Sequence, residues 1–363
     1  MNNFSSVFWS FINLMRILAS NVLSNDPVGA VNWDPKQWHH QLKYLETNDL
    51  YTIASDSPKT YEYFNYTLNN IMIPRVSGTE GNRKVREFIE NSMRDLGWTV
   101  EEDAFMANTP YGSKPFVNII ATLNPKACRR LMIACHYDSK LFPGKNFVAA
   151  TDSAVPCSMM IEIARHFSSS LQKHKTERND LTLQFVFFDG EEAFKDWTDT
   201  DSLYGSRHLA ALWNKSRFPK NQADRQRCPG DYASELDRID VMVLLDLLGT
   251  ANPSIYSYFP ETNPLYAKIL RAEQRLNDLS LLEAEPPKTT TTYFKNRLSF
   301  GGVDDDHKPF ASRGVPIVHV IPMPFPSVWH KMSDNGDALN HPTILNLIKI
   351  FKVFIAEYLH LAI

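Results

Sequence analysis

Leu181 to Trp197 reads LTLQFVFFDGEEAFKDW, and the fold follows from this stretch. Leu181, Leu183, Phe185 and Phe187 alternate with Thr182, Gln184, Val186 and Phe188, the period of a strand with at least one buried face. Asp189-Gly190 breaks the strand, and two adjacent carboxylates, Glu191 and Glu192, follow at once. Neighbouring side chains at a strand end diverge, so the two glutamates can serve two tasks. One can bind a metal while the other moves a proton. Taken alone, the pair reads more readily as a solvated acidic turn. The rest of the chain decides.

A chain of 363 residues, 43% of them hydrophobic, can bury a large core. The net charge of -3 leaves no footprint for nucleic acid. No apolar run of about 18 residues or more occurs in the body of the chain, which excludes a multi-span membrane protein. The first 25 residues differ: they lack acids, and Arg16 interrupts an apolar stretch. On a helix, Asn3, Ser6, Ser10, Asn13, Arg16 and Ser20 form one polar stripe. A secretory signal with a misplaced charge, a mitochondrial transit peptide and a membrane-surface anchor all accommodate that pattern. Residues 1–25 are therefore set apart as a targeting or anchor segment, and residues 26–363 are expected to form one domain.

Within that domain, Pro35 to Tyr61 reads as mainly helical with Pro58 as an interruption, and residues 62–82 read mostly as loop. Arg83 to Leu96 is an amphipathic helix closed by Gly97. Strands are expected at Thr99–Phe105, Phe116–Leu123 and Arg130–Cys135, then a helix over Ser153–Gln172, the opening strand, and a helix over Ser206–Trp213. Lys215 to Asp237 is polar and reads as a surface excursion. Ile239 to Leu247 (IDVMVLLDL) is an apolar run suited to a sheet centre. Helix Pro264–Leu279, strand Val315–Ile321 and helix Pro342–Leu361 complete the set. Alternating strands and helices define an α/β fold with a mixed, mostly parallel central sheet covered on both faces.

In such a sheet ligands bind beyond the carboxyl ends of the strands. The residues with useful chemistry fall there: His136 to Ser139 after one strand, Asp152 opening a helix, Glu191-Glu192, Asp246, the acidic loop Asp304 to His307, and Trp329-His330. Asp246, flanked by Leu244, Leu245, Leu247 and Leu248, stands out because a carboxylate buried without a partner is costly. A helix cap or buried ion pair would also account for it. Asp, Glu and His together suit zinc, which leaves a position open for substrate when three protein ligands hold it.

Seven blocks occur in one order: ACHYDSK (134–140), ATDSAVPC (150–157), FFDGEEAF (187–194), DSLYGSRHLA (201–210), LLDLLG (244–249), DDH-PF (305–310) and PFPSVWH (324–330). By these the chain, from about Trp33 to Leu361, resembles the glutaminyl cyclases (glutaminyl-peptide cyclotransferases), which share the fold of zinc aminopeptidases. The resemblance implies one zinc ion on Asp152, Glu192 and His330, with Glu191 as the proton-transfer residue. Asp246 and Asp305 are then its acidic partners, with His319 and His136 in support. It makes Trp197, Phe325 and Trp329 the aromatic walls of the substrate pocket. The implied substrates are peptides and proteins with N-terminal glutamine, and more slowly glutamate. The terminal amine attacks its own γ-carboxamide, a pyroglutamyl ring closes and ammonia leaves, with zinc polarising the carbonyl and Glu191 carrying the proton.

A two-zinc aminopeptidase of the same fold is the rival, because His136 and Asp246 stand where two further ligands would be needed. A dead fold member acting as an interaction module is a third reading, but no ligand and no Glu191 is missing. The resemblance also pairs Cys135 with Cys157 in a disulfide, which favours the secretory route; two free thiols would fit a mitochondrial location. Asn65 and Asn214 head glycosylation sequons expected in polar loops. A monomer is the default expectation.

Overall fold

A computed structural model describes residues 40–55, 57–284, 292–299 and 301–363. Residues 1–25 and the expected helix onset at Pro35 lie outside the described residues. The central sheet has six strands: β1 (Thr99–Thr109), β2 (Gly112–Thr122), β3 (Arg129–His136), β4 (Leu181–Phe188), β5 (Ile239–Leu245) and β8 (Ile317–Val320), in the order β1-β2-β4-β3-β5-β8. β4, β3, β5 and β8 run parallel, and the β1–β2 hairpin adds antiparallel to β4. β6 (Ile255–Ser257) and β7 (Phe294–Leu298) form a separate small sheet. Every residue of β3, β4 and β5 is buried. That is the reason an apolar run and an alternating run both occur here: in a sheet covered on two sides neither face needs polarity.

Alternation sorts the core. Leu131, Ile133 and Cys135 of β3, the odd-numbered residues of β4 and Val241, Val243 and Leu245 of β5 face one side. Met132, Ala134, Val186, Phe188, Met242 and Leu244 face the other, against Leu209, Ala210, Trp213 and Phe310. The helices in chain order are α1 (Thr47–Ser55), α2 (Ser57–Ile71), α3 (Glu80–Asp95), α4 (Val155–His166), α5 (Ser168–Glu177), α6 (Tyr204–Lys215), α7 (Gln222–Arg227), α8 (Asn263–Asp278), α9 (Lys308–Ala311) and α10 (His341–Leu359). Among the described residues no helix is long and apolar enough to cross a membrane.

Several expectations are corrected. Residues 62–71 are helix, not loop: Phe64, Thr67, Leu68 and Ile71 are buried at helical spacing among Tyr and Asn residues that hid the period. Pro58 starts α2 instead of interrupting a helix, which its fixed φ permits in a first turn. The helix expected from Ser153 begins at Val155, because Asp152 and Ser153 have non-helical dihedrals, and a break at Phe167 separates α4 from α5. Asn65 and Asn214 are half-buried inside α2 and α6, so neither sequon lies in a loop.

The cysteine expectation is overturned. Cys128 is bonded to Cys228, 100 residues away, while Cys135 and Cys157 are buried free thiols. The excursion after α6 folds back across the start of β3, and Phe218 and Tyr232 pack around the bridge. The Cys157 thiol instead donates to the His136 carbonyl at 3.2 Å.

Candidate active site

The chain turns back from β3 to β4 in one direction and then crosses to β5 on the other side. This reversal opens a crevice between the carboxyl ends of β3 and β5, where an open α/β sheet binds its ligand. His136 ends β3 and Asp246 follows β5, and the two meet at 3.4 Å (Nε2 to Oδ1). His136 Nε2 also lies 2.9 Å from Asp152 Oδ1, which orients that carboxylate. The Ser153 hydroxyl donates to Asp246 Oδ1. Asp246 thus has partners, which removes the cost of its burial among leucines.

Asp152, Glu192 and His330 converge: one ligand atom from each lies within 4.8 Å of the others. His330 Nε2 is 3.2 Å from Glu192 Oε1 and 3.4 Å from Asp152 Oδ2. That Asp152 oxygen is buried without a hydrogen-bond partner, which fits a metal-ligand atom. The other Glu192 oxygen accepts from Lys140 Nζ at 3.2 Å. Two carboxylates and an imidazole form a donor set that suits zinc. His136, Asp152 and Asp246 form a second convergent group, and Asp305, His307 and His319 a third.

Glu191 follows Gly190, whose φ of 72° turns the chain sharply; a Cβ there would sit 2.4 Å from the Phe116 ring. Asp138 fixes the turn, its two oxygens accepting from the Glu191 and Glu192 N–H groups at 3.1 and 3.2 Å. Burial pushes the Glu191 carboxyl well above the usual carboxylate range; His136 opposes this, while Glu192, Asp305 and Asp306 push the same way. Asp305 is raised too, by burial first and then by Asp246, and it meets His319 Nε2 at 2.7 Å. Burial lowers His319 to about 4, which keeps it neutral near pH 7.

Phe325 and Trp329 pack edge to face at 4.8 Å, and Trp329 stacks on His330 at 4.2 Å. Trp329 is 39% exposed and Trp197 42%, so both offer ring surface to a ligand. Trp197 sits on the loop after Glu192, where Asp201 accepts from the N–H groups of Phe194, Lys195 and Asp196 at 3.0, 2.9 and 3.1 Å.

Four residues that position this site are given no role by sequence reasoning, although Asp138 falls in the His136 to Ser139 stretch singled out there. Asp138 and Asp201 are the turn acceptors just described. Arg75, fully buried in the segment read as loop, donates to the carbonyls of Tyr137, Val148 and Ala149 at 2.6, 2.5 and 3.0 Å and so holds the approach to Asp152. Asp334 ties two ligand loops together: its carboxylate accepts from Thr151 N–H at 2.9 Å and its carbonyl from Ala150 N–H at 3.2 Å. The only available signal was polarity inside turn-rich or apolar surroundings. Ala149, Leu247 and His330 all have φ near +50° (45°, 54° and 53°), so non-glycine strain gathers around the ligand loops.

The family model described as Peptidase family M28 matches residues 118–355, which defines the class: an enzyme on the zinc-exopeptidase fold. The glutaminyl-peptide cyclotransferase of Gloydius blomhoffii is 44% identical over 341 residues, covering 91% of this chain and 90% of the relative. That of Bos taurus is 42% identical, covering 92% and 91%. The crystal structure of Macrostomum lignano glutaminyl cyclase superposes with a TM-score of 0.81 at 33% identity, covering 91% of this chain and 99% of that one. The chain belongs to the glutaminyl-peptide cyclotransferase family.

Proposed function

We propose that this enzyme cyclises N-terminal glutaminyl residues of peptides and proteins to pyroglutamate with release of ammonia, using one zinc ion on Asp152, Glu192 and His330. The convergence of those three side chains beside a buried Glu191, in a member of this family, carries the reading. Zinc bound there supplies Lewis acidity at the γ-carbonyl and charge for the oxygen as it becomes negative.

The chain's own residues do the rest. A bond forms from the terminal amine nitrogen to the γ-carbon, the γ-carbon to amide-nitrogen bond breaks, and one proton moves from the first nitrogen to the second. Glu191 is the group for that transfer. Burial raises its affinity for protons above that of an exposed carboxylate, which suits a group that must take up a proton and pass it on. Asp305 adds to the acidic surroundings that raise Glu191, Asp246 in turn raises Asp305, and His319 and His136 orient the two. Phe325, Trp329 and Trp197 form the apolar walls that fold the glutamine back on itself and exclude water. Residues 26–363 act as one catalytic domain behind a targeting or anchor segment, 1–25. The Cys128–Cys228 bridge supports passage through an oxidising compartment, hence the secretory route, while the free Cys135 and Cys157 thiols are the feature that fits the mitochondrial alternative.

A second reading, the two-zinc aminopeptidase, is favoured by the group His136, Asp152 and Asp246. Metal analysis of the purified protein separates the two. One zinc per chain, lost to a chelator together with ammonia release from glutaminyl peptides and restored by added zinc, is the expected result. Two zinc ions per chain with release of N-terminal amino acids would overturn it.

A further inference from the structure

The small sheet carries a cation that no carboxylate claims among the described residues. Tyr256 lies between buried Ile255 and Ser257 in β6, so strand alternation turns its ring away from the core. Arg297 of β7 lies over that ring, 4.8 Å from its centroid, with Nη2 3.4 Å from the Tyr256 hydroxyl. A guanidinium on an aromatic face keeps its edge free for a carboxylate. Leu298, Ser299, Met323 and Pro324 complete a groove of about 530 Å³ around the pair.

The groove is built on fixed backbone. Ser299 N–H donates to the Ser257 carbonyl at 2.8 Å, Met323 N–H to the Ser254 carbonyl at 2.8 Å, and Pro322 bridges to Ile255. Two of its lining residues are shared with a cavity beside the site. Leu298 and Ser299 line a second cavity of about 330 Å³ that reaches His319, the partner of Asp305. Pro324 runs directly into Phe325, whose ring packs on Trp329.

We propose that this groove receives the residues following the N-terminal glutamine of a peptide substrate, and that Arg297, held on Tyr256, selects an acidic side chain among them. The inference rests on the cyclisation reading above and extends it from the reacting residue to the rest of the substrate. An exposed charge pair of this kind contributes modestly, so the preference is expected at about two- to fivefold in kcat/KM and to fade as salt is raised.

The test uses glutaminyl hexapeptides carrying a single Asp or Lys at the third, fourth or fifth position, assayed by ammonia release. Wild-type protein should favour Asp over Lys at one or more of these positions. Arg297→Ala should bring the Asp/Lys ratio to about one, Arg297→Glu should invert it, and Arg297→Lys should keep part of it. A ratio near one at all three positions in wild type, or a preference that survives in Arg297→Ala, overturns the inference. Glutaminamide, which has no downstream residue, is the control on the wild-type enzyme. Its turnover with no Arg297-dependent ratio sinks the subsite alone, whereas no turnover sinks the cyclisation reading and the subsite with it.

Discussion

The two ends of the central sheet handle buried charge in opposite ways. At the amino ends of the parallel strands, Arg129 meets Asp240 at 2.6 Å, Arg130 meets Glu235 at 2.8 Å and Arg238 meets Glu235 at 2.7 Å. Burial would raise Glu235, yet Arg130 and Arg238 hold it below the usual range. At the carboxyl ends, Asp138, Asp152, Glu191, Glu192, Asp246 and Asp305 are all buried within one crevice. The buried guanidinium nearby, that of Arg75, directs its donors to backbone carbonyls. Glu191 and Asp305 are accordingly raised, not lowered. One end is closed by pairing and holds the fold. The other keeps an excess of carboxylates that a divalent cation and a mobile proton can offset.

The sharpest way to break this contrast is at the two glutamates. Glu191→Gln keeps size and hydrogen bonding but cannot accept a proton, so turnover should fall by about a hundredfold or more with zinc content unchanged. Because it removes an uncompensated buried carboxylate, it should not lower the thermal midpoint. Glu192→Gln should lose zinc and recover partly in excess metal. Zinc lost from Glu191→Gln and kept by Glu192→Gln would show the two roles reversed.

The amino end should respond in stability alone. Arg129→Met strands the buried Asp240 carboxylate with weaker partners such as the Tyr358 hydroxyl at 3.2 Å. It should cost about 3–5 kcal/mol in urea unfolding, while kcat/KM of the folded fraction stays at the wild-type value. A large fall in kcat/KM at unchanged stability would erase the distinction between the two ends.

The smallest effect belongs to the bridge beside that ion pair. Cys228→Ser should cost about 2–4 kcal/mol, reproduced in the wild type by a reductant, with turnover unaffected. Mass mapping of native protein should find Cys128 linked to Cys228 and both Cys135 and Cys157 unlinked. A Cys135–Cys157 link would restore the pairing that the family resemblance implied.

Much of this was legible in the chain itself. Alternation at Leu181–Phe188 and the apolar run at Ile239–Leu245 are local patterns, set by the two-residue period of a strand, and they define the sheet. Asp246 was conspicuous because a carboxylate among leucines needs a partner. The adjacent Glu191 and Glu192 were conspicuous because they end a buried strand. What tertiary structure alone decided is which distant loops meet. Arg75 holds the Asp152 loop and Asp334 joins it to the His330 loop, yet neither lies in any periodic pattern. Cys135 and Cys157 are close in sequence but unlinked, while Cys128 and Cys228 are bonded across 100 residues. A pairing of that kind depends on where the excursion after α6 returns to the sheet. That return is set by packing around Phe218 and Tyr232, not by any spacing along the chain.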